Sequence, residues 1–496
     1  MKTPDLIQFY RQDERIRKLI IHLREKEKCR IQLCGLSGSS KALLSSAVFE
    51  EEQGVQVFVI PEKETAAYFF NDLENIFGEN ELVFHKKNVL FYPTSYKRPY
   101  EIEKIDNTNV LLRTEVLKRI ASHNKGVIIV TYPEALSEKV ITQKFLQKNT
   151  LKLQTGENLS LNFIEDLLSE YRFERVDFVV EPGQYAVRGG IVDVFSFTND
   201  YPYRIEFFGD EVETIRSFNP ESQLSIDKLD HITIVPNVQD RMLRENRQTF
   251  AEYIPKDAVW WFDDLQLTSH RLDSEFEKAQ KAYQSLKNEI SHLPPEDLFI
   301  TGEKLNDQIT GFSCVEFGKK SFPDNTLVLT FDTQPQPSFN KNFELFINAL
   351  LQNSENGIQN IVASDNPKQL QRLQTIVDDI RFNRNIKQEI QFSTLNLALH
   401  EGFLEKKLKI ACYTDHQLFE RYHRFQLKDS FKGKQALTLK EIYDLQPGDY
   451  VSHIDHAILD KINLVSADKS GEYLIDKELD ALAAAKIVPS IFTTPV

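Results

Sequence analysis

Residues 34–44, CGLSGSSKALL, have most of the spacing of a phosphate-binding loop, G-x-x-x-x-G-K-[ST]. In a working loop, backbone N–H groups surround the phosphates, the lysine meets the β- and γ-phosphate oxygens, and the hydroxyl binds Mg²⁺. Gly35 and Lys41 occupy their expected positions. Ser40, however, replaces the second glycine, and Ala42 replaces the hydroxyl residue. A methyl group cannot ligate a metal, so the loop lacks a central electrostatic element of hydrolysis.

The second element that an ATPase needs is an apolar strand that ends in Asp-Glu. The best match is WFDD at residues 261–264, where Asp264 stands in place of the water-orienting glutamate. Because both halves of the site are altered, we interpret the loop as a structural remnant with no catalytic residue and no bound cofactor. Lys41 is then an ordinary surface cation. Weak nucleotide binding, Mg²⁺ binding by Asp263 and Asp264, and residual ATPase activity are the alternatives.

Residues 203–208, YRIEFF, carry a different kind of chemistry. Successive side chains of a strand point to opposite faces, so the apolar set Tyr203, Ile205 and Phe207 faces a core. The other face then presents Phe208 beside Arg204, a composition typical of an interface anchor. Sixteen residues earlier stands Arg188, followed by two glycines that permit a tight turn or a close backbone approach.

Two arginines and an aromatic ring can form one interaction patch, and we predict such a patch at Arg188, Arg204 and Phe208. The alternative is that Phe208 packs under a neighbouring helix while the arginines make surface ion pairs.

The surrounding elements decide where these residues lie. Strand and helix patterns alternate over the first ~145 residues, which is typical of a parallel sheet with helices on both faces. Residues 171–235 instead read as strand after strand across tight turns, beginning with RFERVDFVVEPG. Alternation returns near residue 257.

We therefore predict a multidomain α/β protein whose parallel, P-loop-like domain has a degenerate loop and is interrupted by an α+β insert. A further small α/β domain and a short β-rich segment follow. The predicted segments are residues 1–148 and 237–330 for the interrupted domain, 149–236 for the insert, 331–428 for the small domain, and 429–496 for a linker and the β-rich segment.

Composition narrows the function further. The chain has 496 residues and a formal net charge of −14, which argues against a globally basic nucleic-acid-binding protein. Its four cysteines lack paired ligand spacing, and no stretch approaches the ~20 apolar residues of a membrane span. We expect a reduced, cytoplasmic chain with protein partners and no membrane contact.

Two weaker signals remain. Basic and aromatic residues interleave over residues 86–100, a pattern that can stack on a DNA strand, although we favour a surface loop with a partly buried aromatic cluster. His453, Asp455 and His456 suggest a metal ligand set, but in a strand the last residue opposes the other two. We expect no metal site and at most weak or indirect DNA binding.

Two sequence blocks in the insert resemble a known domain. VDFVVEPGQYAVRGGIVDVFSF and YPYRIEFFGDEVETIRSF are similar to the second domain shared by the UvrB and transcription-repair coupling factor (Mfd) families. The degenerate loop favours the coupling factor family, because UvrB keeps a working loop. PGDYVSHIDH at residues 447–456 also resembles the start of the RNA polymerase-interacting domain of the coupling factors.

The resemblance implies an adaptor. In that family the second domain docks on UvrA through residues at the positions of Arg188, Arg204 and Phe208, and so recruits UvrA to stalled RNA polymerase for transcription-coupled nucleotide excision repair. The family continues into an ATP- and Mg²⁺-dependent motor that does not appear here, so we expect a non-catalytic fragment.

The C-terminal segment departs from the family at Ala457, where a glycine is usual, and residues 478–488 read as helical. Binding of RNA polymerase is therefore a weaker expectation than binding of UvrA. A UvrB-like helicase-related ATPase and a DNA-binding repair protein are the alternative functions.

Overall fold

The computed structural model describes most of the chain in two compact units, residues 1–427 and 428–496. The described residues are 1–24, 28–83, 86–96, 99–100, 107–122, 126–235, 247–286, 293–318, 326–421, 452–453 and 487–488. In the second unit, Ser452–His453 pairs antiparallel with Ile487–Val488. These last two residues belong to the run that we predicted to be helical, and the remainder of that run lies outside the described residues.

A seven-stranded parallel sheet forms the base of the first unit. Its strands are short runs rich in β-branched and aromatic residues. All but the edge strand Leu327–Thr330 are almost entirely buried, as strands covered on both faces must be. The predicted strands at residues 31–35, 55–61, 89–92 and 126–131 are confirmed. The spatial order is Leu327–Thr330, Arg30–Cys34, Ser313–Phe317, Val259–Phe262, Val55–Val59, Val127–Thr131 and Val89–Tyr92.

Helices connect and flank these strands and share one large apolar core with them. A short antiparallel ribbon, Val140–Ile141 with Arg247–Gln248, lies outside the sheet. The helices are Thr3–Gln12, Glu14–Arg24, Ser40–Glu51, Lys63–Phe77, Asn107–Ser122, Pro133–Ser137, Gln143–Lys148, Phe250–Tyr253, Leu265–Ser285, Pro295–Leu298 and Gly302–Ile309.

The insert has its own sheet and its own core. The helix Leu161–Glu170 buries Ile164 and Leu168 in that core. At the root of the insert, Leu151–Gln154 pairs antiparallel with His231–Ile234, so the entering and leaving strands lie side by side. The order of the six-stranded sheet is Ser225–Leu229, Glu211–Phe218, Tyr203–Phe208, Ile191–Val194, Gln184–Arg188 and Glu174–Arg175.

The first strand predicted in the insert, over RFERVDFVVEPG, is mostly wrong. Only Glu174–Arg175 pairs with the sheet, followed by one backbone hydrogen bond from Val176 to the Tyr185 carbonyl. Residues 177–180 then leave the sheet, although the apolar run Phe178, Val179 and Val180 is typical of a strand. The pattern misled us because Val179 is buried by tertiary contacts outside the ladder.

A five-stranded mixed sheet lies within residues 331–428. Its order is Thr333–Pro335, Phe403–Glu405, Ile410–Thr414, Gln359–Ser364 and Ser393–Asn396, with helices Phe343–Glu355, Pro367–Asn383 and Asp415–Leu418. The predicted fold class, a multidomain α/β protein with an α+β insert, is confirmed, while the domain boundaries stay predictions. Within the described ranges, no helix combines the length and apolarity needed to span a bilayer.

The strand Tyr203–Phe208 permits a matched test of burial. Ile205 is fully buried in the insert core, whereas Phe208 is 78% exposed on the opposite face. We expect Ile205→Ala to lower the free energy of unfolding by about 2–5 kcal/mol, because it leaves a cavity. Phe208→Ala should change it by less than about 0.5 kcal/mol. Urea unfolding of both variants checks this, and equal losses would contradict the assignment of the two faces.

Candidate functional site

The outer face of the six-stranded sheet carries the predicted interaction patch. Tyr203, Ile205 and Phe207 are buried, as the alternation predicts, while Phe208 projects into solvent. The alternative in which Phe208 packs under a helix is wrong. We call this surface, around Arg188, Arg204 and Phe208, the docking face.

Arg188 and Arg204 converge on one carboxylate, that of Asp193. Arg204 donates from Nε to Oδ1 at 2.7 Å and from Nη2 to Oδ2 at 2.8 Å, and Arg188 forms an ion pair with Oδ2. Strand register explains this meeting, since Asp193 lies directly opposite Arg204. Asp193 itself is buried, so its charge depends on these two partners.

Asp193 was not among the site residues predicted from the sequence. The signal was present in the strand Ile191–Val194, where an acid interrupts an apolar run. Recognising its role requires the pairing of that strand with Tyr203–Phe208.

The two arginines differ in what they present to solvent. The Arg204 side chain is 17% exposed, because its guanidinium also stacks 4.4 Å from the Phe218 ring and bonds to Gln223. The hydrogen bonds from Arg204 to Asp193 are the main reason that the pKa of Arg204 is raised. Arg188 is 38% exposed and lies 5.1 Å from the Phe178 ring. Arg188 and Phe208 therefore offer the more accessible contacts.

The two glycines after Arg188 close a tight hairpin. Gly189 has a φ of +61°, and a Cβ at Gly190 would lie 2.9 Å from the Phe207 carbonyl oxygen. Both uses foreseen for the pair, a turn and a close backbone approach, occur. Because Phe207 N–H donates to the Gly190 carbonyl at 2.8 Å, the hairpin sets Arg188 at the end of the sheet that carries Phe208.

A second ion pair continues the polar side of the docking face. Glu206 pairs with Arg216 and accepts a 2.6 Å hydrogen bond from the Thr214 hydroxyl. Three arginines of the docking face, Arg188, Arg204 and Arg216, thus pair with two carboxylates, those of Asp193 and Glu206.

The phosphate-loop segment has a different environment. Gly35 keeps the left-handed backbone of such a loop, with a φ of +77°, and a Cβ there would clash with the Phe331 carbonyl oxygen. The loop's backbone is occupied by the protein itself: Ser39 N–H donates to the Glu401 carbonyl at 3.1 Å, and Glu401 N–H returns a bond to Ser39 Oγ at 3.0 Å. Residues 400–402 of the small α/β domain therefore lie against the loop.

The altered positions of the loop are absorbed into packing. Ala42 is fully buried in the core, and Ser40 Oγ donates to the Ser37 carbonyl at 2.6 Å. Lys41 forms an ion pair with Asp263, so our expectation of an ordinary surface cation is wrong. Asp264 caps the following helix by accepting from Leu267 N–H at 2.8 Å.

The DNA-stacking alternative for residues 86–100 fails on burial. Phe91, Tyr92, Tyr96 and Tyr100 are all buried, and Lys87 is buried against Glu74, so bases cannot reach these rings. Residues 97–98 lie outside the described residues. The described part of the chain contains no group of His, Cys, Asp or Glu arranged to hold a metal ion, and residues 455–456 fall outside that part.

Comparison with known proteins gives one family model and many relatives. The model of the UvrB interaction domain matches residues 151–239. Two transcription-repair-coupling factors align with most of this chain: that of Haemophilus influenzae is 22% identical over 88% of the chain, and that of Bacillus subtilis is 23% identical over 91%. UvrABC system protein B of Thermosipho africanus is 26% identical over 57% of the chain.

The chain spans less than half the length of these relatives, 42% of the first and the third and 43% of the second. Of this chain, the alignments with these two coupling factors cover about nine-tenths, and the alignment with this UvrB covers a little more than half.

The contact between the loop and the small α/β domain includes a buried titratable group, Asp72. It accepts from Ser39 Oγ at 2.6 Å and from His400 N–H at 2.7 Å. Burial nevertheless raises the pKa of Asp72 to about 7. The native state then holds this proton more tightly than the unfolded chain does, so the stability it contributes is full below about pH 4 and is lost as the pH rises through about 7.

Replacing this carboxyl with an amide removes the titration. We expect the difference in unfolding free energy, wild type minus Asp72→Asn, to fall between about pH 4 and pH 7 and to stay flat above that. Urea unfolding of both proteins at a series of pH values measures the difference. A difference that rises with pH would mean that the pKa of Asp72 is lowered instead.

Proposed function

We propose that this chain is a non-catalytic adaptor region that docks on UvrA through the docking face. The observation that carries the proposal is the exposed ring of Phe208 beside two arginines fixed on Asp193, within the residues that match the UvrB interaction domain. In this role the chain recruits UvrA to stalled RNA polymerase for transcription-coupled nucleotide excision repair, in the cytoplasm.

The geometry suits a protein partner. Aromatic and arginine side chains dominate the binding energy of interfaces, and they do so best where they are already held in their bound positions. Asp193 removes much of the rotamer freedom of both arginines before any partner arrives.

RNA polymerase is the second proposed partner. It rests on the resemblance of residues 447–456 to the start of a polymerase-interacting domain, and on alignments with coupling factors that extend over about nine-tenths of the chain. Direct DNA binding has no part in the proposal, because the net charge is −14 and the aromatic residues of 86–100 are buried.

The absence of catalysis is likewise proposed from the loop's surroundings. A phosphate would have to displace Glu401 from Ser39 N–H and Lys41 from Asp263, and Ala42 would still offer no ligand for Mg²⁺. We therefore assign no nucleotide or metal to this chain. The alternative, a UvrB-like ATPase, requires that these contacts open.

A binding titration with UvrA tests the docking face. We expect Arg188→Ala and Phe208→Ala each to weaken binding about tenfold or more, because each removes an accessible anchor. Phe382→Ala is the matched control, since that ring is 86% exposed on a helix of the small α/β domain. Phe208→Ala is the more decisive of the two, because loss of either Arg188 or Arg204 also leaves the buried Asp193 with one partner. Wild-type affinity in both docking-face variants would refute the assignment.

The variant Lys41→Ala separates a scaffold from a nucleotide site. In our proposal it lowers the free energy of unfolding by about 1 kcal/mol, through loss of the ion pair with Asp263, and has no effect on nucleotide affinity because none is measurable. Unfolding in urea and titration with a fluorescent ATP analogue and Mg²⁺ give the two readouts. Saturable binding by the wild type that the variant loses, or turnover of ATP, would support the ATPase instead.

A further inference from the structure

The outer face of the insert sheet is crossed by residues 177–180, which we call the strap. Arg188 Nη1 donates to the Asp177 carbonyl at 3.2 Å, and Gln223 Nε2 donates to the Val179 carbonyl at 3.5 Å. Within the strap, Val179 is fully buried, while its neighbours Phe178 and Val180 are exposed. The strap is therefore held on the outer face of the sheet with the side chains of Phe178 and Val180 turned toward solvent.

Residues 219–224 form a turn on the same face. Gln223 has a φ of +59°, an uncommon backbone conformation for a residue other than glycine. It is held there by Arg204, which donates to its carbonyl at 3.4 Å and to its side-chain oxygen at 3.2 Å. Asn219 N–H closes the turn on the Leu224 carbonyl at 2.9 Å. The result is that Leu224 projects from a turn with a defined shape and is 69% exposed.

Exposed apolar side chains concentrate in this part of the molecule. Of the fourteen large apolar side chains that are exposed in the described residues, seven lie within residues 151–239. Phe178, Val180, Leu224 and Ile226 belong to the strap, the turn and the strand that follows the turn. Such a cluster on one domain marks an interaction surface, because single exposed apolar residues are otherwise scattered.

We propose that Phe178 and Leu224 form a second apolar anchor for the same partner that contacts Phe208. This inference rests on the proposed function, and it extends the docking face to the other side of the arginine pair. A stable interface buries about 800 Å² on each partner, with about 20–30 residues a side, which three residues cannot supply. The extension provides the missing area in a form that is already ordered.

The hydrogen bonds of the arginine pair favour the partner that contacts Phe208 as the protein that also contacts Phe178 and Leu224. The guanidinium of Arg188 binds both Asp193 and the strap, and that of Arg204 binds both Asp193 and the turn. A partner that engages the arginine pair thus meets the strap and the turn in the same rigid arrangement. An anionic lipid surface fits poorly, since the strap begins at Asp177 and is followed by Glu181, and the chain is acidic overall.

The experiment uses the full chain and UvrA, with Phe178→Ser, Leu224→Ser and the double variant. We expect each single variant to weaken binding about three- to tenfold and the double variant to weaken it further, while Phe382→Ser binds like the wild type. Because Phe178 also contacts the Arg188 guanidinium, the Leu224→Ser result is decisive: that side chain touches neither charge of the pair through any described contact. Unchanged near-ultraviolet circular dichroism excludes a folding defect.

The outcomes distinguish this inference from the proposed function. If Phe208→Ala weakens binding and Leu224→Ser does not, the second anchor is refuted while the docking face stands. If the wild type does not bind UvrA at all, the proposed function is refuted, and the second anchor is refuted with it. Light scattering on the same samples tests a second copy of the chain as the occupant, and a wild-type dimer that Leu224→Ser dissociates would also overturn the inference.

Discussion

The carboxylate of Asp193 is the centre on which the proposed docking face depends. A buried carboxylate with no partner is costly, and it would either bind a proton or disrupt the sheet around it. Here it is satisfied by Arg188 and Arg204, and those arginines in turn hold the strap and the turn. One buried charge therefore fixes two cations, two loop segments and the apolar side chains that those loops expose. A neutral residue at this position would remove the charge that holds the two arginines together, and with them the strap and the turn.

In the phosphate-loop region, by contrast, polar and charged groups are bonded within the protein and are not presented to a partner. Its backbone keeps the left-handed glycine that a nucleotide site needs, yet the groups that would meet phosphate are turned inward. Ser39 contacts residues of the small α/β domain, and Lys41 neutralises Asp263. In our proposal the loop serves as a joint between two sheets, and the protein's interaction chemistry lies in the insert.

Much of the fold could be predicted from the sequence because its signals are local. Apolar runs such as residues 126–131 are strands in the structure, and the alternation in YRIEFF placed Phe208 on the outer face. The errors arise where distant segments meet. Asp193 gains its meaning only from the register of two strands, and Lys41 was misread because Asp263 lies more than two hundred residues away. The strap carries a strand-like pattern, but tertiary contacts bury Val179 without any ladder.

The antiparallel strand pair at the root of the insert has a mechanical consequence. Leu151–Gln154 and His231–Ile234 run side by side, so both covalent connections to the host domain leave the insert at one place. Tension between the docking face and the host domain is therefore shared by these two antiparallel strands, which it loads in the same direction in space, so that it does not shear the hydrogen bonds between them. The insert can therefore transmit tension to the rest of the chain before the two strands at its root separate.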